Sequence, residues 1–319
     1  MRAARITGRI PRYQRGAALL TAMIIVTLVA TLAAAMVWQQ WRAVQVEAAE
    51  RARVQSAWIL SGALDFAKLI LREDMKSTKQ ITALTEPWAT PLAEARLSTF
   101  LAADKANADD GPEAFLSGFI TDAQGRYNLM NLVTGGKTVP LELEVLERLC
   151  QNLGLDGSLA GRIAAGLLAA TTANSAAAPL MPATVAQLIW LGIDPASVKA
   201  LQPYVVLLPA VTAVNVNTAS KEVLMAAIKG LDPSTAERLI KTRQLTPFND
   251  TGDSLKAALP QSAIPATTVS VDSNYFEVTG RLRLTDRVLT ERSLVQRTRP
   301  QQIKVLQRER VASLDQVGP

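Results

Sequence analysis

The chain contains no histidine and a single cysteine, Cys150, among 319 residues. Without imidazole there is no Ser-His-Asp or Cys-His nucleophile system and no histidine metal ligand. One cysteine cannot close a disulfide within the chain. Carboxylate-only or Ser-Lys chemistry stays open on residue types, but such residues are not grouped at any motif spacing. Charge gives no catalytic or nucleic-acid signal either. The first 16 residues hold five arginines (Arg2, Arg5, Arg9, Arg12, Arg15) and no acid, so the net charge of +6 falls to +1 beyond them. The basic character is a property of that leader, not of a nucleic-acid surface.

Backbone chemistry is the next possibility. Gly154-Leu155-Asp156, Gly192-Ile193-Asp194 and Gly230-Leu231-Asp232 recur at intervals of 38 residues. Each glycine can end a helix in the left-handed conformation. Each aspartate can cap the next helix, and Pro195 and Pro233 suit its first turn. The spacing predicts three helix-turn-helix units. Leu146, Leu149, Leu153, Leu188, Ile189, Leu191, Leu224, Ile228 and Leu231 are their expected shared core. Asn215-Val-Asn-Thr-Ala-Ser220 with Arg243 and Pro247-Phe248 resembles the helix-hairpin-helix modules of DNA-binding and DNA-uptake proteins. Such hairpins use two glycines to bring backbone N–H groups to a phosphate. Here Asp232 takes the second glycine's place, and Glu222 and Glu237 flank it. A packing module with capped helices is the preferred reading, and DNA binding the alternative.

The elements that position these units begin at the N-terminus. Ala17–Trp38 is 22 residues without a charge, enough for a helix rising ~1.5 Å per residue to cross a bilayer core. The arginines before it place the N-terminus in the cytoplasm and the remainder outside. A plain signal anchor, or a removable signal cut near Ala33-Ala34-Ala35, are the alternatives. Residues 39–75 favour helix, with an apolar stripe through Trp41, Val44, Ala48, Ala52, Gln55 and Ile59. One long rod is predicted, with a break near Gly62 as the variant. Phe119-Ile120, a turn at Asp122-Ala-Gln-Gly125 and Tyr127/Leu129 read as a hairpin. Residues 269–279, 281–290, 291–297 and 303–308 read as strands. Gly280 marks a bulge or bend between the first two. The alternating arginines read as a solvated sheet face.

Four segments together carry a family resemblance. They are the basic leader stopping at Gly16 before the apolar run, Asp122-x-x-Gly-Arg-Tyr-Asn-Leu-Met-Asn-Leu132, Asn215–Ser220, and Ser273-x-Tyr275-Phe276. In this order they resemble the protein K family of type II secretion minor pseudopilins. The resemblance implies an α+β, pilin-like fold: a long N-terminal transmembrane helix packed on an antiparallel sheet, with a large inserted helical domain. It implies a leader 1–16, a transmembrane segment 17–38 and an outer helix half 39–78. Residues 79–138 and 263–311 would then form the pilin-like part, 139–262 the insert and 312–319 a tail.

The resemblance also implies prepilin peptidase cleavage between Gly16 and Ala17 and N-methylation of Ala17. It implies no catalysis. The place would be the tip of a periplasmic pseudopilus, with the other minor pseudopilins, the major pseudopilin and the inner-membrane platform as partners, and no nucleic acid. Most pilins carry glutamate at the fifth mature position, where it is thought to meet a neighbour's ammonium; here that position is Thr21, which suits a first subunit. Family members usually carry an acidic loop able to hold calcium. The matching stretch, Ala164–Met181, has no carboxylate. Asp250, Asp253 and Asp272 are the remaining weak candidates for a metal, and a solvated loop explains each more simply. A membrane-tethered DNA-binding module and a single-pass periplasmic enzyme are the competing function classes.

Overall fold

The computed structural model describes residues 14–76, 80–97, 114–172, 178–259, 268–284, 287–298 and 301–311. Most of the expected leader and the tail 312–319 lie outside them. The chain falls into two compact units, Met1–Trp58 and Ile59–Pro319.

The first unit is helical from Gln14. It belongs to α1 (Gln14–Asp74), which runs 61 residues. Gly62 does not break it, because an isolated glycine costs a helix only about 1 kcal/mol and the flanking residues are strong helix formers. Among the described residues α1 is the one helix long and apolar enough to cross a membrane. Thr27 and Thr31 donate their hydroxyls to the carbonyls of Ile24 and Leu28, so the apolar run carries no unsatisfied hydroxyl.

In the second unit a five-stranded antiparallel sheet has the order β1 (Leu92–Arg96), β2 (Ala114–Asp122), β3 (Tyr275–Leu284), β4 (Arg287–Thr298), β5 (Gln302–Val311). Leu60, Leu64, Ala67 and Leu71 recur at spacings of four and three, so one stripe of α1 meets the sheet. They bury against Leu116, Phe276, Val278, Leu282 and Val295. Trp88 closes one end, edge-on to Phe276 at 5.3 Å.

Four sequence expectations change at the sheet. β3 continues through Gly280 with no bend. That glycine pairs with Gly118 across the strands, and a Cβ on it would lie 3.3 Å from Leu60, so its role is to admit the helix. The hairpin at Asp122–Gly125 does not form. Gly125 has no positive φ; it is small because a Cβ would lie 3.0 Å from Thr218 Oγ1. β2 pairs with β1 and β3 instead, and Tyr127–Asn128 pairs in parallel with Val205–Val206. The arginines are not all solvated, since Arg297 is buried against Asp74. Residues 281–284 close β3, and 287–298 form one strand where two were expected.

Between β2 and β3 lies the helical insert: α2 (Pro140–Asn152), α3 (Leu159–Thr172), α4 (Pro195–Leu201), α5 (Lys221–Ala227), α6 (Pro233–Leu245) and α7 (Asp253–Ala258). The predicted units are present. Gly154, Gly192 and Gly230 take φ of 67°, 78° and 82°. Asp194 accepts from Ser197 N and Asp232 from Ser234 N and Thr235 N. Leu146, Leu149, Leu188, Leu224, Ile228 and Leu231 share the core, while Ile189 is half exposed. Its helix, Val185–Leu191, is a 3-10 turn, whose three-residue repeat rotates Ile189 outward. The first part of the expected cation loop, Ala164–Thr172, belongs to α3, with Ala164 and Leu167 in the core.

Candidate functional site

The described residues bring together no cluster of three metal-ligating side chains. Asp250 accepts from Ser254 N, and Asp272 from the Ser270 hydroxyl. Asp253 opens α7. The Asp250 and Asp272 carboxylates serve local turns. Asp156, Asp194 and Asp232 are held below the ordinary carboxylate range by the hydrogen bonds of their caps. An ionised Asp232 therefore sits where a hairpin phosphate would lie.

The densest polar site is a buried junction of segments remote in sequence. At the end of β2, Asp122 Oδ1 accepts from Gln124 N at 2.8 Å. Its Oδ2 accepts from Asn215 Nδ2 at 2.8 Å, Thr218 Oγ1 at 2.6 Å and Ser273 Oγ at 2.7 Å. Asn215 also donates to Thr82 O at 2.9 Å. A second layer adjoins it. Arg297 reaches Asp74 Oδ2 at 2.6 Å, Thr82 Oγ1 at 2.7 Å and Ser273 O at 2.8 Å. Its guanidinium lies 4.9 Å from the Phe276 ring centre. The last residue of α1, the sheet and the insert are thus tied through one network.

The insert is tied further by asparagines. Asn217 exchanges two 2.9 Å bonds with Phe248 N and O. Asn128 and Asn131 donate to Ala210 O at 2.8 Å and Thr212 O at 2.7 Å. Arg243 Nη1 donates to Val216 O at 2.6 Å, and burial lowers its pKa to about 10. Burial outweighs the hydrogen bonds at Asp122 and the Arg297 pairing at Asp74, so both carboxyls are raised. Glu86, accepting from Ala83 N and Trp88 Nε1, is raised by burial too. Cys150 is pushed up to about 11, mainly by burial, which makes it a core thiol and not a nucleophile.

With its acceptors occupied and most of its members buried, this junction can hold segments together. The motif segments had marked Asp122, Asn215 and Ser273. Thr82, Asp74 and Arg297 were missed, since nothing local distinguishes a buried ion pair from a helix end and a strand arginine.

At the other end, Gly16 and Ala17 sit in the first turn of α1. Thr21 donates its hydroxyl to Ala17 O and Ala18 O, both at 3.0 Å, as its place in an apolar helix requires.

Two family models described as type II secretion system protein K match residues 125–210 and 214–278. The type II secretion system protein K of Pseudomonas aeruginosa is 30% identical over 326 residues, covering 93% of both chains. This chain belongs to the type II secretion system protein K family. The Klebsiella pneumoniae protein K is 28% identical, covering 89% of this chain and 93% of its own. In the crystal structure of the GspK-GspI-GspJ complex from enterotoxigenic Escherichia coli, a chain with 22% identity matches at a TM-score of 0.59. It covers 83% of this chain and 99% of that one, and shows the same fold. The protein K chain described here is therefore a type II secretion component of the α+β class, with an N-terminal helix suited to a single membrane pass.

Proposed function

We propose that this protein is a minor pseudopilin at the tip of the periplasmic pseudopilus, where it helps start assembly and has no catalytic role. Prepilin peptidase would cut between Gly16 and Ala17 and methylate Ala17. The N-terminus would lie in the cytoplasm and the bulk of the chain in the periplasm. Its partners would be the other minor pseudopilins, as in the related GspK-GspI-GspJ complex, then the major pseudopilin and the inner-membrane platform.

The observation that carries the tip placement is Thr21. Its hydroxyl is satisfied within its own helix. A carboxylate there would need a cation from a neighbour above, and the first subunit has none. The buried junction supports a structural part, since its polar groups are spent on internal contacts. A chromosomal deletion tests the reading. Secreted substrates should accumulate in the periplasm, and the wild-type chain should restore export. Normal export by the deletion strain would refute it.

A further inference from the structure

Two tryptophans and an arginine share one face of α1 where its apolar run ends. Trp38, Trp41 and Arg42 stand three and four positions apart, which brings their side chains to the same side of a helix. Both rings are exposed, and the Arg42 guanidinium lies 5.9 Å from the Trp38 ring centre. At that distance the ring attracts the cation only weakly, so the guanidinium keeps its hydrogen-bonding capacity.

Charge and depth select what meets this face. Of the three arginines in residues 39–58, Arg51 pairs with Glu47 and Arg53 with Glu50. No acid stands within four residues of Arg42, so no such pair along the helix is open to it. The 22 uncharged residues Ala17–Trp38 rise about 33 Å as a helix, against a hydrocarbon core of about 30 Å. Trp38 therefore reaches the far edge of that core. Arg42 follows about 6 Å beyond, inside a headgroup layer about 5–8 Å thick. The anion found at that depth is phosphate, whose oxygens a guanidinium fork matches. Indole rings settle at the same level, with the N–H toward the polar side. We propose that Trp38, Trp41 and Arg42 form a docking face for a phospholipid headgroup, with Arg42 on its phosphate. The proposal rests on α1 as a membrane pass and holds for either orientation of the chain.

The full chain labelled with 5-fluorotryptophan in lipid nanodiscs, followed by ¹⁹F NMR, tests the depth. A nitroxide on the lipid headgroup should broaden the Trp38 and Trp41 signals at least threefold more than one near the acyl end. A reporter placed by Leu28→Trp should show the reverse preference. If the reporter does so and the two tryptophans do not favour the headgroup label, the docking face is overturned and the membrane pass stands. If the reporter responds to neither label, both fall. Native mass spectrometry from dodecyl maltoside tests the phosphate. Added phosphatidylglycerol should stay on the chain, and a galactolipid with the same acyl chains should not. Arg42→Gln should weaken retention at least tenfold, and Arg42→Lys less. Equal retention of the galactolipid, or no effect of Arg42→Gln, overturns the proposal. Displacement by millimolar inorganic phosphate would assign the face to the free anion and overturn the lipid. Tryptophan signals that respond only when a second pilin-type subunit is added would assign it to that subunit, with the same consequence.

Discussion

Asp122 and Asn215, 93 positions apart, meet through a 2.8 Å hydrogen bond that joins the end of β2 to the helical insert. Both are buried, and the asparagine amide also reaches Thr82 O. Asn215→Ala removes the donors and leaves a buried carboxylate and a carbonyl with fewer partners. Unsatisfied buried groups of this kind cost about 1–3 kcal/mol each. Denaturant unfolding of the solubilised chain should show a loss of about 3 kcal/mol. Asn217→Ala, which uncouples Phe248, should cost a comparable amount.

Glycines at two sites should respond in opposite directions. A Cβ on Gly118 would lie 2.6 Å from the Thr279 carbonyl, a backbone atom that cannot step aside without moving β3. Gly118→Ala should lower stability by about 1–3 kcal/mol. Around Gly62 nothing lies within 4 Å, so Gly62→Ala should raise it by about 0.5–1 kcal/mol. Thermal melts of the two variants against the parent check both signs.

The turns were legible because their causes are local: Gly230, Asp232 and Pro233 each act within a few residues of themselves. The apolar span was legible by length alone. The junction was not, although its motif segments stood out, because Asp122 meets Ser273 across 151 positions and Arg297 meets Asp74 across 223. The hairpin expected at Gly125 failed for the same reason. The glycine answers to Thr218, a residue of the insert, and not to its neighbours' turn geometry. Gly280 likewise answers to Leu60 on a distant helix.

Acid should first tighten this fold and then loosen it. Asp74, Glu86 and Asp122 are raised by burial. The folded chain therefore holds protons on them more firmly than the unfolded chain. Their ionisation penalises the fold at neutral pH, and the penalty lifts as pH falls through the raised values. The cap carboxylates Asp156, Asp194 and Asp232 are lowered. Their contribution is intact above the ordinary aspartate value of 3.8 and is lost as pH falls below it. Unfolding midpoints should rise from neutral to mildly acidic pH and drop below that value. The acid-side rise should shrink in Asp122→Asn.

Thr21→Glu places a carboxylate at the fifth residue after Gly16. In a subunit with no neighbour above, that carboxylate would cost about 3 kcal/mol in the apolar run. Export of a secreted substrate should fall at least tenfold, while Thr21→Ser should leave it unchanged.

The most direct measurement is the mass of the N-terminal peptide of the chain extracted from membranes of cells that contain the prepilin peptidase. A subunit made for the pseudopilus should begin at an N-methylated Ala17. A chain that retains Met1 and its arginines, or that begins after Ala35, would contradict that account.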